Sequence, residues 1–229
     1  MSDAVAVWAV VVAAGSGERL GAEHPKAFVR FGDDPLIAAS VAALDDHPAI
    51  DGIVLVVPQG WEERATFMAD DIGAGKASIA VAGGATRSDS VAAGVAEVPT
   101  DAAIILVHDA ARPLVPADLI DRIIGGFADG ADGVIPVLPI DDTVKRVDAA
   151  GRVIETLDRS ELRAVQTPQA FLADVLRRAV AAADRSTGTD CASLVERAGG
   201  LVVTVAGDPR AIKITTRADL ARAEELRAC

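Results

Sequence analysis

Residues 4–15 read Ala4-Val5-Ala6-Val7-Trp8-Ala9-Val10-Val11-Val12-Ala13-Ala14-Gly15, an unbroken apolar run closed by a glycine. A secretory leader would want a positively charged start, whereas the only early charge is Asp3. A membrane-spanning helix would want about 18 or more apolar residues, and this run stops short of that. Its Val content and glycine turn predict a buried strand over Val5–Ala13. The same texture recurs down the chain, predicting strands at Ile53–Val57, Ser78–Ala82, Ile104–Val107, Gly133–Val137 and Leu201–Val205. Runs apolar on consecutive residues suit strands covered on both faces, as in a parallel sheet. Amphipathic stretches between them predict helices near Pro35–Leu44, Glu62–Ile72, Ser88–Glu97, Pro116–Phe127, Ala170–Ala182 and Asp190–Ala198. A last helix is expected from Arg217, with Thr216 and Asp219 as its cap.

Strand alternating with helix implies an α/β fold, a Rossmann-like, mostly parallel twisted sheet with helices on both faces. Thr143–Val147 and Arg152–Thr156 depart from it, two half-polar strands joined by Asp-Ala-Ala-Gly. They read as a protruding β-hairpin arm at about 139–160, which needs a surface to pack on. One domain over 1–229 plus this arm is the economical organisation.

The 229 residues are 51% hydrophobic and 24% charged, which excludes a disordered chain. With 22 Lys and Arg against 34 Asp and Glu, the net charge is −12 and the pI about 4.6. Nucleic acid and anionic membrane surfaces are therefore not expected partners. Two cysteines, Cys191 and Cys229, give neither a disulfide framework nor metal-ligand spacing, so a cytoplasmic setting is expected.

In α/β sheets of this kind ligands sit beyond the carboxyl ends of the strands, and chemistry-bearing residues follow three of the predicted strands. The first set is Ala13-Ala14-Gly15-Ser16-Gly17-Glu18-Arg19-Leu20 with Pro25-Lys26. It lacks the Gly-Lys-Ser/Thr of a Walker loop, and Leu20 stands where a dinucleotide fingerprint needs a small residue. What remains is a glycine loop with two cations, suited to phosphate or to a plain tight turn. The second set is Gly83-Gly84-Ala85-Thr86-Arg87-Ser88-Asp89-Ser90, where Ser88 or Asp89 also reads as a helix cap.

The third set is His108-Asp109-Ala110-Ala111-Arg112-Pro113. Asp109 at a strand end suits Mg²⁺ on a polyphosphate, and Arg112 offers a planar fork for phosphate. The plainer alternative is an Asp109–Arg112 ion pair closing a turn, while His108 reads as a packed residue. Thr189 and Asp190 open a helix, with capping as their plain role. Lys213 lies among apolar residues at an expected strand position, so an anion, either an acid or a substrate phosphate, should sit beside it. Neither Gly-x-Ser-x-Gly nor a cysteine in nucleophilic context occurs. Cations, glycines and one well-placed Asp suit phosphate chemistry without a protein nucleophile.

Taken together, residues 13–20 with Pro25-Lys26, His108 to Pro113, Asp142-Thr143-Val144-Lys145-Arg146, Thr167-Pro168-Gln169 and Ile212-Lys213-Ile214-Thr215 resemble a known pattern. In order and over nearly the whole length, the chain is similar to the cytidylyltransferase family of the non-mevalonate isoprenoid pathway, which acts on 2-C-methyl-D-erythritol 4-phosphate. The resemblance implies CTP against Ala13, Ala14, Gly15, Gly17 and Ala110, with Gly84, Arg87 and Ser90 shaping the cytidine end. It implies Arg19 and Lys26 at the reacting α-phosphate and Asp109 on Mg²⁺ or another hard divalent cation. Arg112, Thr143, Arg159, Thr189 and Lys213 would serve the methylerythritol phosphate, Thr143 and Arg159 reaching it from a neighbouring subunit of a homodimer. A cytidylyltransferase for another polyol phosphate, such as ribitol 5-phosphate, would share the CTP residues. A nicotinamide-dependent reductase is disfavoured by Leu20, and a non-catalytic nucleotide-binding module by the joint presence of Arg19, Lys26, Asp109 and Lys213.

Overall fold

The computed structural model describes residues 5–15, 24–127, 130–182 and 190–227. The opening apolar run forms β1 (Val7–Val12), followed by a 3-10 turn at Lys26–Phe28 and a minute hairpin of β2 (Arg30–Phe31) and β3 (Asp34–Pro35). Then come α1 (Leu36–Asp45), β4 (Gly52–Val57), α2 (Glu62–Asp71), β5 (Ile79–Ala82), α3 (Arg87–Glu97), β6 (Ile104–Asp109), α4 (Ala117–Ile124) and β7 (Gly133–Pro139). The arm is β8 (Lys145–Val147) and β9 (Val153–Thr156), after which β10 (Arg163–Val165) and β11 (Gln169–Leu172) return to the main sheet. The remainder is α5 (Ala173–Ala182), α6 (Cys191–Arg197), β12 (Val202–Ala206) and α7 (Arg217–Arg227).

β1 is central because it is apolar on both faces. It pairs in parallel with β4 on one edge, Val10 opposite Val54, and with β6 on the other, Val10 opposite Val107. β5 continues beyond β4, while on the far side the order runs β6, β11, β7, β12. Val11, Leu55 and Leu106 bury one face against Ile37 and Val41 of α1 and Leu119 and Ile120 of α4. Val10, Val54 and Ile105 bury the other against Val91 and Val95 of α3 and Leu176 of α5. Each such fully buried aliphatic side chain stabilises the fold by about 1.5–3 kcal/mol, which is why two-sided apolar runs set the sheet.

The expected helix over Ala170–Ala182 needs correcting. Its first residues belong to β11, where Ala170 and Phe171 are buried between β6 and β7, and the helix begins only at Ala173. β11 is antiparallel to both neighbours and β10 is antiparallel to β7, while the other pairings of the sheet are parallel. β10 lies along the same edge of β7, pairing Val165 with Val137 where β11 pairs Ala170 with Val134. Residues 166–169 stand between these pairs against only 135–136 on β7, so the chain bulges between β10 and β11. Lys213 is likewise not on a strand but in the irregular segment between β12 and α7.

β8 and β9 pair antiparallel as a separate two-stranded sheet, Lys145 opposite Thr156. Asp148 closes its turn by accepting the backbone N–H groups of Ala150 and Arg152, both at 2.9 Å, and Gly151 takes φ +77°. All residues of both arm strands are exposed, with Val147 at 52%, Val153 at 62% and Ile154 at 62%. No helix among the described residues is long and apolar enough to cross a membrane.

Candidate active site

Because β1, β4, β5 and β6 run parallel, their carboxyl ends share one edge, and the chain reverses its direction of spread between β1 and β6. A cleft of about 580 Å³ opens there, within the usual size of a small-molecule site. Ala13, Ala14 and Gly15 after β1, Gly84 to Arg87 after β5 and Asp109 to Ala111 after β6 all line it. Lys26, Ser90, Lys213 and Thr215 complete its polar wall. A Cβ on Gly83 would meet the Ala14 Cβ at 2.3 Å, so glycine there lets the β1 and β5 loops touch.

Asp109 is the only carboxylate among the described residues lining the cleft. Arg87 donates from Nε and Nη2 to its Oδ1 at 3.1 and 2.9 Å, and Lys213 Nζ donates to its Oδ2 at 2.7 Å. Burial pushes the Asp109 pKa up, but the two cations outweigh it and hold the carboxyl well below the usual range. Burial likewise opposes the charge of Arg87, and Asp109 more than restores it. The anion that Lys213 required is therefore Asp109.

The backbone of Asp109 is fixed from beneath. Its N–H can only donate, so the Thr167 hydroxyl accepts from it at 3.0 Å and donates its own proton to His108 Nδ1 at 3.1 Å. The Arg112 carbonyl can only accept, so His108 Nε2–H donates to it at 3.1 Å. This chain needs a neutral imidazole, and burial of His108 lowers its pKa to about 4. His108 is thus the packed residue its sequence context suggested.

Arg112 does not form the ion pair with Asp109, and its guanidinium meets backbone carbonyls instead. It is 9% exposed, with Nη1 donating to the Ala211 carbonyl at 2.7 Å and Nη2 to the Val165 carbonyl at 3.3 Å, while its buried Nε has no partner. Burial lowers its pKa from the ordinary value. Its guanidinium braces the loop that carries Lys213 rather than reaching the cleft or pairing with Asp109. Arg87 does line the cleft, with its guanidinium committed to Asp109.

Local caps set the cleft walls. Thr86, not Ser88 or Asp89, is the N-cap of α3, accepting the Asp89 N–H at 3.0 Å while Asp89 accepts the Thr86 N–H at 3.1 Å. Ser90 Oγ accepts the Gly84 N–H at 3.2 Å and donates to the Thr86 carbonyl at 3.0 Å. Ser40 of α1 donates to the carbonyl of Ala110 at 2.9 Å. Asp219 caps α7 with Thr216, as expected, and also accepts the Thr215 hydroxyl at 2.6 Å.

Gly17, Arg19 and Thr189 lie outside the described residues. Thr143 and Arg159 are exposed on and beside the arm, where Arg159 Nη1 donates to the Asp141 carbonyl. Neither is among the described residues lining this chain's own cleft. Sequence reasoning gave no role to Gln166, Thr167 or Thr215. The signal for Thr167 was its place in Thr167-Pro168-Gln169, a proline-marked break ahead of an apolar stretch.

No group of three or more His, Cys, Asp or Glu side chains among the described residues is arranged to hold a metal. Mg²⁺ binds through one or two carboxylates with phosphates and water supplying the rest, so this donor set fits only an ion carried on a polyphosphate. Cations within an acidic protein and glycine-lined backbone at a strand edge are features that suit a cleft to a polyanion.

Comparison with known proteins agrees. The family model for IspD, 2-C-methyl-D-erythritol 4-phosphate cytidylyltransferase, matches residues 7–227. A protein of that name from Nocardia farcinica is 51% identical over 220 residues, 96% of this chain and 93% of its own. One from Rhodococcus jostii is 49% identical over 221 residues, 96% of this chain and 94% of its own. The crystal structure of a 2-C-methyl-D-erythritol 4-phosphate cytidylyltransferase from Thermus thermophilus superposes with a TM-score of 0.78 at 32% identity, covering 96% of this chain and 98% of that one. That of a 4-diphosphocytidyl-2C-methyl-D-erythritol synthase from Anaerococcus prevotii gives 0.84 at 26% identity, covering 99% and 100%. A strand-edge cleft suited to a polyanion and a match from the first strand to the last helix lead to one conclusion: the chain belongs to the 2-C-methyl-D-erythritol 4-phosphate cytidylyltransferase family.

Proposed function

We propose that this chain transfers CMP from CTP to the phosphate of 2-C-methyl-D-erythritol 4-phosphate, forming 4-diphosphocytidyl-2-C-methyl-D-erythritol and pyrophosphate for isoprenoid precursor synthesis. The observation that carries this reading is the family match over residues 7–227, which takes in every described residue of the cleft. A phosphate oxygen of the acceptor attacks the α-phosphorus of CTP. The bond from that phosphorus to its bridging oxygen breaks, and pyrophosphate leaves with the electron pair. The nucleophile is already an anion, so no protein base is required.

The protein's work is then to align two mutually repelling anions and to stabilise charge. Alignment alone can supply roughly 7–11 kcal/mol. Lys26, with Arg19, stabilises the crowded α-phosphate. Lys213 meets the acceptor phosphate, and the backbone of Ala13 to Gly15, Gly17, Gly84, Ser90 and Ala110 holds the nucleotide. Asp109 would hold Mg²⁺, its three hydrogen bonds from cations leaving about one acceptor position open. When bound, the ion neutralises charge on the triphosphate and its leaving group. The exposed Val147, Val153 and Ile154 of the arm support a homodimer in which Thr143 and Arg159 reach the partner's cleft, with Thr189 completing the acceptor site. A free, buried Cys191 suits a cytoplasmic enzyme.

The test is pyrophosphate release by the purified protein with Mg²⁺, using CTP, ATP, GTP and UTP against methylerythritol 4-phosphate and ribitol 5-phosphate. Release with CTP and methylerythritol 4-phosphate alone is expected. Release with ribitol 5-phosphate instead would replace the acceptor, and silence from folded protein would overturn the catalytic reading.

A further inference from the structure

Lys213 lies between β12 and α7 with no strand or helix to fix it, yet its Nζ is placed within 2.7 Å of Asp109 Oδ2. Arg112 Nη1 holds the Ala211 carbonyl and the Ile214 N–H donates to the Ala111 carbonyl at 2.8 Å, and a further side chain joins them. Two residues before Lys213, the Ala211 carbonyl accepts from Gln166 Nε2 at 3.2 Å. The same Nε2 donates to the Asp208 carbonyl at 2.8 Å, and Gln166 Oε1 accepts the Asp208 N–H at 2.9 Å. One carboxamide, 4% exposed, therefore uses both donor hydrogens and its oxygen on a single loop. A Cβ on Gly207 would stand 2.4 Å from Gln166 Oε1, so glycine at that position makes room for the carboxamide. Gln166 itself belongs to the bulge between β10 and β11, and its N–H stays tied to the Pro136 carbonyl at 2.8 Å. Its backbone is thus anchored on the sheet while its side chain reaches the loop.

We infer that Gln166 is a positioning residue for Lys213. By bracketing Asp208 and Ala211 it sets where the ammonium sits, and so how the acceptor phosphate is aligned. This rests on the proposed contact between Lys213 and that phosphate. A misplacement of about 1 Å in an alignment of this kind can cost about a hundredfold in rate.

The test is a double-mutant cycle on Gln166→Met and Lys213→Met, following kcat and KM for CTP and for the acceptor. Met matches the length of Gln without its hydrogen bonds. Gln166→Met is expected to lose roughly 10- to 100-fold in kcat/KM for the acceptor, with the KM for CTP within about twofold. In the Lys213→Met background the same change is expected to cost less than about twofold, because the group it positions is gone. Losses that add in the double variant, or that fall equally on CTP and acceptor, would overturn the inference and leave the role of Lys213 standing. Undiminished acceptor use by Lys213→Met alone would overturn the role of Lys213 and this inference with it. If Gln166→Met does not fold, Gln166→Asn enters the same cycle, since it is polar but one methylene too short for the bracket.

Discussion

Replacing Thr167 by Val tests the buried chain beneath Asp109. The substitution is nearly isosteric and removes one hydroxyl from a site 4% exposed. It leaves two buried polar groups without a partner, the Asp109 N–H and His108 Nδ1, which the hydroxyl now meets at 3.0 and 3.1 Å. An unsatisfied buried donor or acceptor costs about 1–3 kcal/mol, so the variant should lose about 2–6 kcal/mol. That is a large part of a typical total stability of about 5–15 kcal/mol. Thr167→Ser keeps the hydroxyl and gives up one methyl group, which costs about 1 kcal/mol. The assay is urea denaturation of wild type and both variants at pH 7.5, followed by circular dichroism. The difference between Val and Ser isolates the hydrogen bonds from the packing. If the Val variant is no less stable than the Ser variant to within about 0.5 kcal/mol, the hydroxyl does not carry these bonds and the reasoning fails.

Three further outcomes are expected. The folded chain binds fewer protons than the unfolded one between the ordinary His value near 6.5 and the His108 value of about 4, so stability should be full above about pH 6.5 and fall as pH drops toward 4, at up to about 1.4 kcal/mol per unit. His108→Gln should flatten that stretch of the urea-midpoint profile, and parallel profiles would assign the slope elsewhere. Lys26→Ala should lose at least about a hundredfold in turnover with an unchanged circular dichroism spectrum, whereas retention within a few-fold would remove Lys26 from the mechanism. Mixing inactive Lys26→Ala with inactive Arg159→Ala should regain activity, because a mixed dimer carries one intact site when Arg159 serves its partner; no recovery in exchanging dimers would place Arg159 in its own chain's chemistry.

The central parallel strands β1, β4 and β6 were legible because burial on both faces forces consecutive apolar residues. β10 and β11 left no such mark. Arg163-Ala164-Val165 is too short, and Ala170-Phe171-Leu172 continues the apolar pattern of α5, so the boundary at Ala173 is decided by β6 and β7, far away in sequence. In the cleft, Asp109 was found because a strand's carboxyl end is a position that sequence can specify. The partner of Arg87 was not, since it depends on how the loops after β5 and β6 face each other. The carbonyl partners of Arg112 were not legible, because a guanidinium suits carbonyls and phosphates alike and only the fold brings Val165 and Ala211 to it.

The ion pairs on Asp109 also order events during synthesis. Arg87 precedes the carboxylate by 22 residues and Lys213 follows it by 104. At about 5–20 residues per second, a growing chain carries Asp109 for roughly 5–20 s before Lys213 exists. Throughout that interval Arg87 is already made and available as a counter-charge. The nascent sheet can therefore close around its acid without burying a naked anion. The second cation, and with it the site's capacity to engage an acceptor, arrives only once β12 has been translated.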